Sequence, residues 1–134
     1  MDIDERRARN IAATEQLFRA FSNGDIAALV AAVADDLVYD APWYDLRRSG
    51  RDEFAAMLAA VEERFESILY EVVETFPLVD PDLVIVEVRS DHAVRGSDRR
   101  YRNQYIQFLR FDPDGRVVEW REFSNPDYYR AAFT

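Results

Sequence analysis

The sequence predicts an α+β fold in which an antiparallel sheet follows three N-terminal helices. Residues 4–68 mainly show the spacing of amphipathic helices, whereas residues 70–124 form strand-like runs separated by turn signals. Helices followed by hairpin-linked strands are typical of α+β proteins. A doubly wound or barrel fold would need strands that alternate with helices along the whole chain, so the same order argues against both.

Two helices are predicted in the first 33 residues. Apolar side chains recur every three or four positions over residues 4–22, and Asn23-Gly24 then provides a helix stop. Asp25 is placed to cap a second helix, whose apolar stripe runs from Ile26 to Val33.

A short strand and a loop are expected before the third helix. Residues 37–42 read as a strand ended by proline, and residues 43–48 read as a loop. The run Ser49-Gly50-Arg51-Asp52 places an acid three residues after a hydroxyl, which is the pattern of a capping box. The helix that follows has an apolar face extending from Phe54 to Ile68.

Long strands make up most of the second half. The turn signals between them are Pro77, Asp80-Pro81-Asp82, Gly96 and the tight turn Asp112-Pro113-Asp114-Gly115. A short helical cap is predicted over residues 128–133. The strands are predicted over residues 70–76, 83–89, 100–111 and 117–124.

The composition fits one domain, residues 1–134, and excludes several classes of partner. Of the 134 residues, 49% are hydrophobic and 13% aromatic, which favours a packed core and an aromatic-lined pocket. The net charge is −9, so nucleic acid is an unfavourable partner. With no cysteine and one histidine, disulfides and zinc clusters are excluded. No signal peptide or membrane span is visible, so we expect a cytoplasmic protein.

Three motifs in the strand region occur in an order that resembles a known superfamily. They are Tyr101-Arg102-Asn103-Gln104-Tyr105, Asp114-Gly115-Arg116, and Arg121-Glu122-Phe123-Ser124-Asn125-Pro126. Together with the order of helices and strands, they resemble the nuclear transport factor two-like superfamily. The resemblance covers nearly the whole chain and is strongest to the SnoaL-like polyketide cyclases and the phenazine-biosynthesis A/B proteins.

The resemblance implies a cone-shaped fold of the cystatin-like or ketosteroid isomerase-like type, with a curved sheet around the helices. It implies a pocket for a small hydrophobic molecule, no cofactor, and commonly a homodimer, which we expect to form through the convex sheet face. It does not imply one reaction, because this fold hosts isomerases, dehydratases, hydrolases, cyclases and non-catalytic modules.

Strand alternation divides the candidate pocket residues into two faces. By resemblance to ketosteroid isomerase, the face that carries Gln107 and Trp120 lies inside, whereas Ile106 and Phe108 lie on the dimer side. Tyr39 and Trp43 are expected at the mouth, and three residues of the third helix are expected in the wall. The full set of predicted ligand contacts is Asn103, Tyr105, Gln107, Trp120, Tyr39, Trp43, Met57, Val61 and Phe65.

Glu122 is the candidate catalytic residue. In the phenazine A/B proteins, a glutamate in the matching Arg-Glu-Phe motif is an acid/base group of the pocket. A carboxyl group beside Trp120 in an apolar cavity should have a raised pKa and could exchange a proton near neutral pH. The alternative is a structural glutamate held by an arginine or by Asn103. His92 is expected to be solvated at the end of a hairpin strand.

Steroid isomerisation is rejected because the positions that match its catalytic groups hold Leu17, Ala41 and Gln107. Three functions stay open. The first is cofactor-independent proton transfer on a hydrophobic or aromatic carbonyl compound, by an isomerase, dehydratase or cyclase. The second is a non-catalytic module for ligand binding or dimerisation. The third is epoxide hydrolysis, which uses an Asp-Arg-Asp group that is not evident here.

Overall fold

The computed structural model describes all residues, 1–134, and confirms the α+β architecture. A single 3₁₀ turn spans Pro42–Tyr44. The helices are α1 (Ile3–Ser22), α2 (Ile26–Ala31), α3 (Arg51–Arg64) and α4 (Pro126–Ala132). The strands are β1 (Val33–Ala41), β2 (Leu46–Ser49), β3 (Phe65–Ser67), β4 (Tyr70–Phe76), β5 (Leu83–Val94), β6 (Arg100–Phe111) and β7 (Val117–Ser124). None of the helices is both long and apolar enough to cross a membrane.

All seven strands form one curved, unclosed sheet in the order β2-β1-β7-β6-β5-β3, with β4 also paired to β5. The pairs are antiparallel except β1 and β7, which run parallel. The predicted antiparallel sheet therefore contains one parallel pair. These two strands are separated by most of the chain, so no hairpin fixes their relative direction.

The core lies between the helices and the concave face of the sheet, with Trp120 of β7 at its centre. The Trp120 ring is 1% exposed and meets four aromatic rings whose centroids lie 5.7–6.2 Å away, namely those of Phe18, Phe21, Tyr39 and Phe54. Rings at these distances and tilts pack favourably beyond the area that they bury. The residues of β6 and β7 that share this face are therefore held in fixed positions.

The first half contains two strand segments that the sequence reading assigned to a helix and to a loop. Val33 was expected in the second helix but begins β1, where it is fully buried in register with Val117. Residues 46–48 were expected in a loop and Ser49 in a helix cap, but residues 46–49 form β2, whose Ser49 pairs with Val38. Pairing with a neighbouring strand, β7 for Val33 and β1 for residues 46–49, decides the conformation of each segment. Such pairing is not visible from the local spacing of apolar residues.

The third helix differs from its prediction at both ends. Gly50 is its N-cap and offers no side-chain oxygen, and the acid that reaches back is Glu53, whose Oε1 accepts from the Ser49 amide at 3.0 Å. The helix stops at Arg64 because Phe65 turns into extended backbone and pairs with Val94 of β5. The apolar positions beyond Phe65 therefore belong to a strand region.

Candidate functional site

A cavity of about 290 Å³ lies between the concave face of the sheet and helices α1 and α3. Of its 21 lining residues, 16 are hydrophobic. Ligand pockets are concave and mostly apolar with a few placed polar groups, and they begin at about 300 Å³. The cavity therefore has room for a small compound.

Eight of the ten predicted site residues line this one cavity. Strands β1, β6 and β7 contribute the polar and aromatic ones, whereas α3 and the start of β3 contribute the apolar wall. The eight are Tyr39, Met57, Val61, Phe65, Tyr105, Gln107, Trp120 and Glu122. The structure brings these side chains together, and their contacts with a ligand stay a prediction.

Asn103 and Trp43 do not reach the cavity. The Asn103 amide donates to the Tyr101 hydroxyl and to the Asn125 carbonyl, both at 2.9 Å, so it belongs to a buried hydrogen-bond network. Trp43 is 60% exposed and packs edge-on against Phe123, with centroids 5.1 Å apart. Its place in the 3₁₀ turn after β1 directs it outward, which the sequence reading could not see in a presumed loop.

Glu122 projects into the cavity from β7. Its backbone pairs with Gln107 of β6, and Trp120 precedes it by two residues on the same face. The Tyr39 hydroxyl donates a hydrogen bond to Glu122 Oε2. The other carboxyl oxygen, Oε1, has no hydrogen-bond partner in the protein and is free to meet a ligand.

Burial in this cavity raises the pKa of Glu122 from an ordinary value of 4.5 to about 6. Removal from water disfavours the charged form, and the hydrogen bond from Tyr39 acts in the opposite direction by favouring the carboxylate. No arginine forms a salt bridge with Glu122. The structural alternative of an arginine-paired glutamate is therefore wrong, and Asn103 does not contact the carboxyl group either.

Gln107 presents an amide donor beside this carboxyl group. Its Oε1 accepts from the Trp120 indole N–H at 2.5 Å, and because an indole nitrogen only donates, this bond fixes the orientation of the amide. The Gln107 NH₂ group has no acceptor in the protein. A free donor and a free carboxyl oxygen thus lie on neighbouring positions of two paired strands.

A comparison with protein families shows the family to which this chain belongs. The model of the SnoaL-like domain matches residues 14–120. The chain belongs to the SnoaL-like domain family. It is also 30% identical over 88 residues to an uncharacterised PhzA/B-like protein of Pseudomonas aeruginosa, in an alignment that covers 66% of this chain and 61% of that protein. The chain thus spans less than two thirds of the length of this relative.

Solved structures with low identity share the fold of this SnoaL-like domain. A putative polyketide cyclase from Xanthomonas campestris superposes with a TM-score of 0.80 at 18% identity, covering 96% of this chain and 99% of that one. A putative isomerase from Bacillus subtilis gives 0.81 at 19%, covering 99% and 96%. An LEH-like epoxide hydrolase of Mycobacterium tuberculosis gives 0.78 at 23%, covering 94% and 90%.

The SnoaL-like domain also has cavity residues outside the predicted set of ligand contacts. Tyr44 lines the cavity, and its hydroxyl lies 2.7 Å from Ser124 Oγ. His92 lines it as well and is 1% exposed, so the expectation of a solvated histidine is wrong. No group of three or more His, Cys, Asp or Glu side chains is arranged to hold a metal ion.

Proposed function

We propose that this SnoaL-like domain is a cofactor-independent proton-transfer enzyme that acts on a small apolar or aromatic carbonyl compound, with Glu122 as the acid/base group. The observation that carries the proposal is the placement of one carboxyl group with a free oxygen in an apolar cavity. Its pKa of about 6 suits a group that must both take and return a proton near neutral pH.

Proton abstraction follows from the geometry. At pH 7 a carboxyl group with this pKa is roughly nine-tenths ionised, so Glu122 Oε1 can accept a proton from the carbon next to a substrate carbonyl. The electron pair of that C–H bond moves to the carbonyl oxygen, and the Gln107 NH₂ group can donate a hydrogen bond to the enolate. Burial and the charge of Glu122 raise the pKa of Tyr39 well above the usual range. The Tyr39 hydroxyl therefore keeps its proton and holds the carboxyl group in place as a hydrogen-bond donor.

The atom that receives the proton back from Glu122 determines which reaction takes place. Delivery to a different carbon isomerises the substrate, and delivery to a β-hydroxyl group, which then leaves as water, dehydrates it. If the enolate carbon attacks a second carbonyl, a ring closes and the proton goes to the new alkoxide oxygen. Epoxide hydrolysis is disfavoured because Glu122 is the only carboxylate in the cavity wall, and an Asp-Arg-Asp group that positions water needs two.

Exchange of α-protons in D₂O tests the proposal without a known substrate. The probes are 2-tetralone, 1-tetralone, 1-indanone and phenylacetone, and the rate at pD 7 is followed by proton NMR. We expect exchange faster than in buffer alone, and a loss of about 100-fold or more in Glu122→Gln. Glu119→Gln is the matched control, because Glu119 lies on the exposed face of the same strand.

Two outcomes contradict the proposal. One is a wild-type rate equal to that of buffer for every probe, and the other is an unchanged rate in Glu122→Gln. Saturable binding of the ketones without any exchange would instead identify a non-catalytic ligand-binding module.

We propose in addition that the outer face of the sheet, which carries Ile106, Phe108 and Phe123, binds a second copy of the chain. Ile106 is 39% exposed, and a broad open depression of about 1410 Å³ runs over this face and past Trp43. Monomers rarely leave apolar side chains contiguous on an open sheet face. The pair Glu87 and Arg89 in the same depression offers opposite charges to a symmetric partner.

Sedimentation equilibrium tests the dimer. We expect a dimer for the wild type and a monomer for Ile106→Glu. Val79→Glu is the matched control, because Val79 is 95% exposed and lies outside this face, in the turn before β5. A monomeric wild type at micromolar concentration would contradict the proposal.

A further inference from the structure

His92, which lines the cavity, has a ring nitrogen, Nε2, that is shielded from solvent and has no hydrogen-bond partner in the protein. The imidazole lies on β5, is 1% exposed, and is surrounded by the rings of Phe65, Tyr70 and Tyr101 at centroid distances of 4.8–5.6 Å. An unpaired polar group in such a place costs free energy, so its presence calls for an explanation.

The hydrogen bond at the other ring nitrogen determines what Nε2 can do. Nδ1 accepts from the Leu69 backbone N–H at 3.1 Å, so in the neutral ring the proton is on Nε2. Burial lowers the pKa of His92 to about 4, which keeps the ring neutral under ordinary conditions. Nε2–H is thus an uncharged donor for which the protein supplies no acceptor.

The strand register places His92 and Glu122 far apart on the sheet. His92 pairs with Tyr101 of β6, whereas Glu122 pairs with Gln107 of the same strand. Tyr101 and Gln107 are six positions apart on β6, so His92 and Glu122 lie at different points along the sheet. Both side chains line the same cavity, so they face a ligand from different ends.

We propose that His92 Nε2–H donates a hydrogen bond to an acceptor oxygen of the ligand, at the end of the cavity away from Glu122. The ligand is then a bifunctional compound. It has a reactive carbonyl group near Glu122 and a second ether, hydroxyl or carbonyl oxygen across the ring system. The choice of a carbonyl compound rests on the proposed function, whereas the donor role of His92 depends only on the cavity.

Nuclear magnetic resonance on the unaltered protein tests this directly, because the chain has a single histidine and its ring signals need no assignment by mutation. The probes are the 5-, 6- and 7-methoxy derivatives of 2-tetralone, with 2-tetralone as the matched compound that lacks the second oxygen. We expect the Nε2–H tautomer in the free protein. At least one methoxy isomer should move the Nε2–H proton downfield, and 2-tetralone should not.

Affinities measured on His92→Phe provide the second arm. That variant keeps a ring of similar size and removes the donor. We expect it to weaken binding of the responding methoxy isomer about fivefold and to change that of 2-tetralone less than about twofold. Glu122→Gln should retain the preference for the methoxy isomer while it loses α-proton exchange.

The outcomes separate the two proposals. If the methoxy preference depends on His92 but no exchange occurs, the donor role stands and the enzymatic function fails. The donor role is overturned if no methoxy isomer binds or moves the Nε2–H signal. It is also overturned if His92→Phe weakens the binding of the three methoxy isomers and of 2-tetralone equally. The last result would mean that Nε2–H faces the ring of Phe65 or Tyr70 and serves packing alone.

Discussion

Replacement of Glu122 by glutamine should remove one contribution to the pH dependence of this domain's stability. The pKa of Glu122 is about 6 in the folded protein against an ordinary value of 4.5, so the folded state holds this proton more tightly than the unfolded chain does. The contribution of Glu122 to stability is therefore fully present below pH 4.5 and is lost as the pH rises through 6. A difference of about 1.5 between the pKa values corresponds to roughly 2 kcal/mol of stability lost by pH 8.

Glu122→Gln removes this loss because the amide accepts from Tyr39 and carries no charge. The free energy of unfolding, measured in urea at pH 4 and pH 8, should therefore shift in favour of the variant by about 2 kcal/mol between the two conditions. Other titrating groups are common to both proteins and cancel in the difference. Glu119→Gln, on the exposed face of β7, should differ from wild type by less than about 0.5 kcal/mol at either pH.

A stability difference between Glu122→Gln and wild type that is the same at pH 4 and pH 8 would contradict the raised pKa of Glu122. So would a variant that becomes relatively less stable as the pH rises. That second result would mean that the carboxylate is stabilised by a positive charge in the folded state.

The remaining predictions concern the neighbours of Glu122 and the buried histidine. Tyr39→Phe removes the hydrogen bond that lowers the pKa of Glu122. The midpoint of the pH profile of α-proton exchange should therefore move upward from about 6. An unmoved or lower midpoint would show that the hydroxyl does not act on the carboxyl group. His92 has a folded pKa of about 4 against an ordinary 6.5, so stability from its neutral form is present above pH 6.5 and lost as the pH falls through 4. Between pH 7 and pH 4 the unfolding free energy of His92→Phe should gain about 3 kcal/mol relative to wild type in urea titrations, and a constant difference would contradict the burial of a neutral ring.

The order of elements and the inner face of the last two strands could be predicted from the sequence. Strand alternation alone groups Gln107 with Tyr105 and Glu122 with Trp120, and resemblance to a known fold then assigns both pairs to the inside. Trp43 could not be placed this way, because the direction of a side chain in a 3₁₀ turn depends on the strands on either side. Asn103 lies on the correct face but near the strand end, where the Asn125 carbonyl is within reach.

His92 was expected in solvent because the strand predicted from residue 83 ends before it. The predicted strand stops at residue 89, whereas β5 continues to Val94 and buries every second residue of its last half, including Ser90 and His92. The alternation was present in the sequence, but Ser90-Asp91-His92 looks like a turn by composition. Pairing with the whole length of β6 overrides that local signal.

Titration of the Glu122 carboxyl carbon by NMR shows whether this group can exchange a proton near neutral pH. The signal is assigned by its absence in Glu122→Gln, and its shift is followed from pH 3 to pH 9. We expect a midpoint at about 6, from a carboxyl group held in an apolar cavity. A midpoint at or below the ordinary value of 4.5 would describe a solvated or ion-paired carboxylate and would contradict the role of Glu122 as the proton-transfer group.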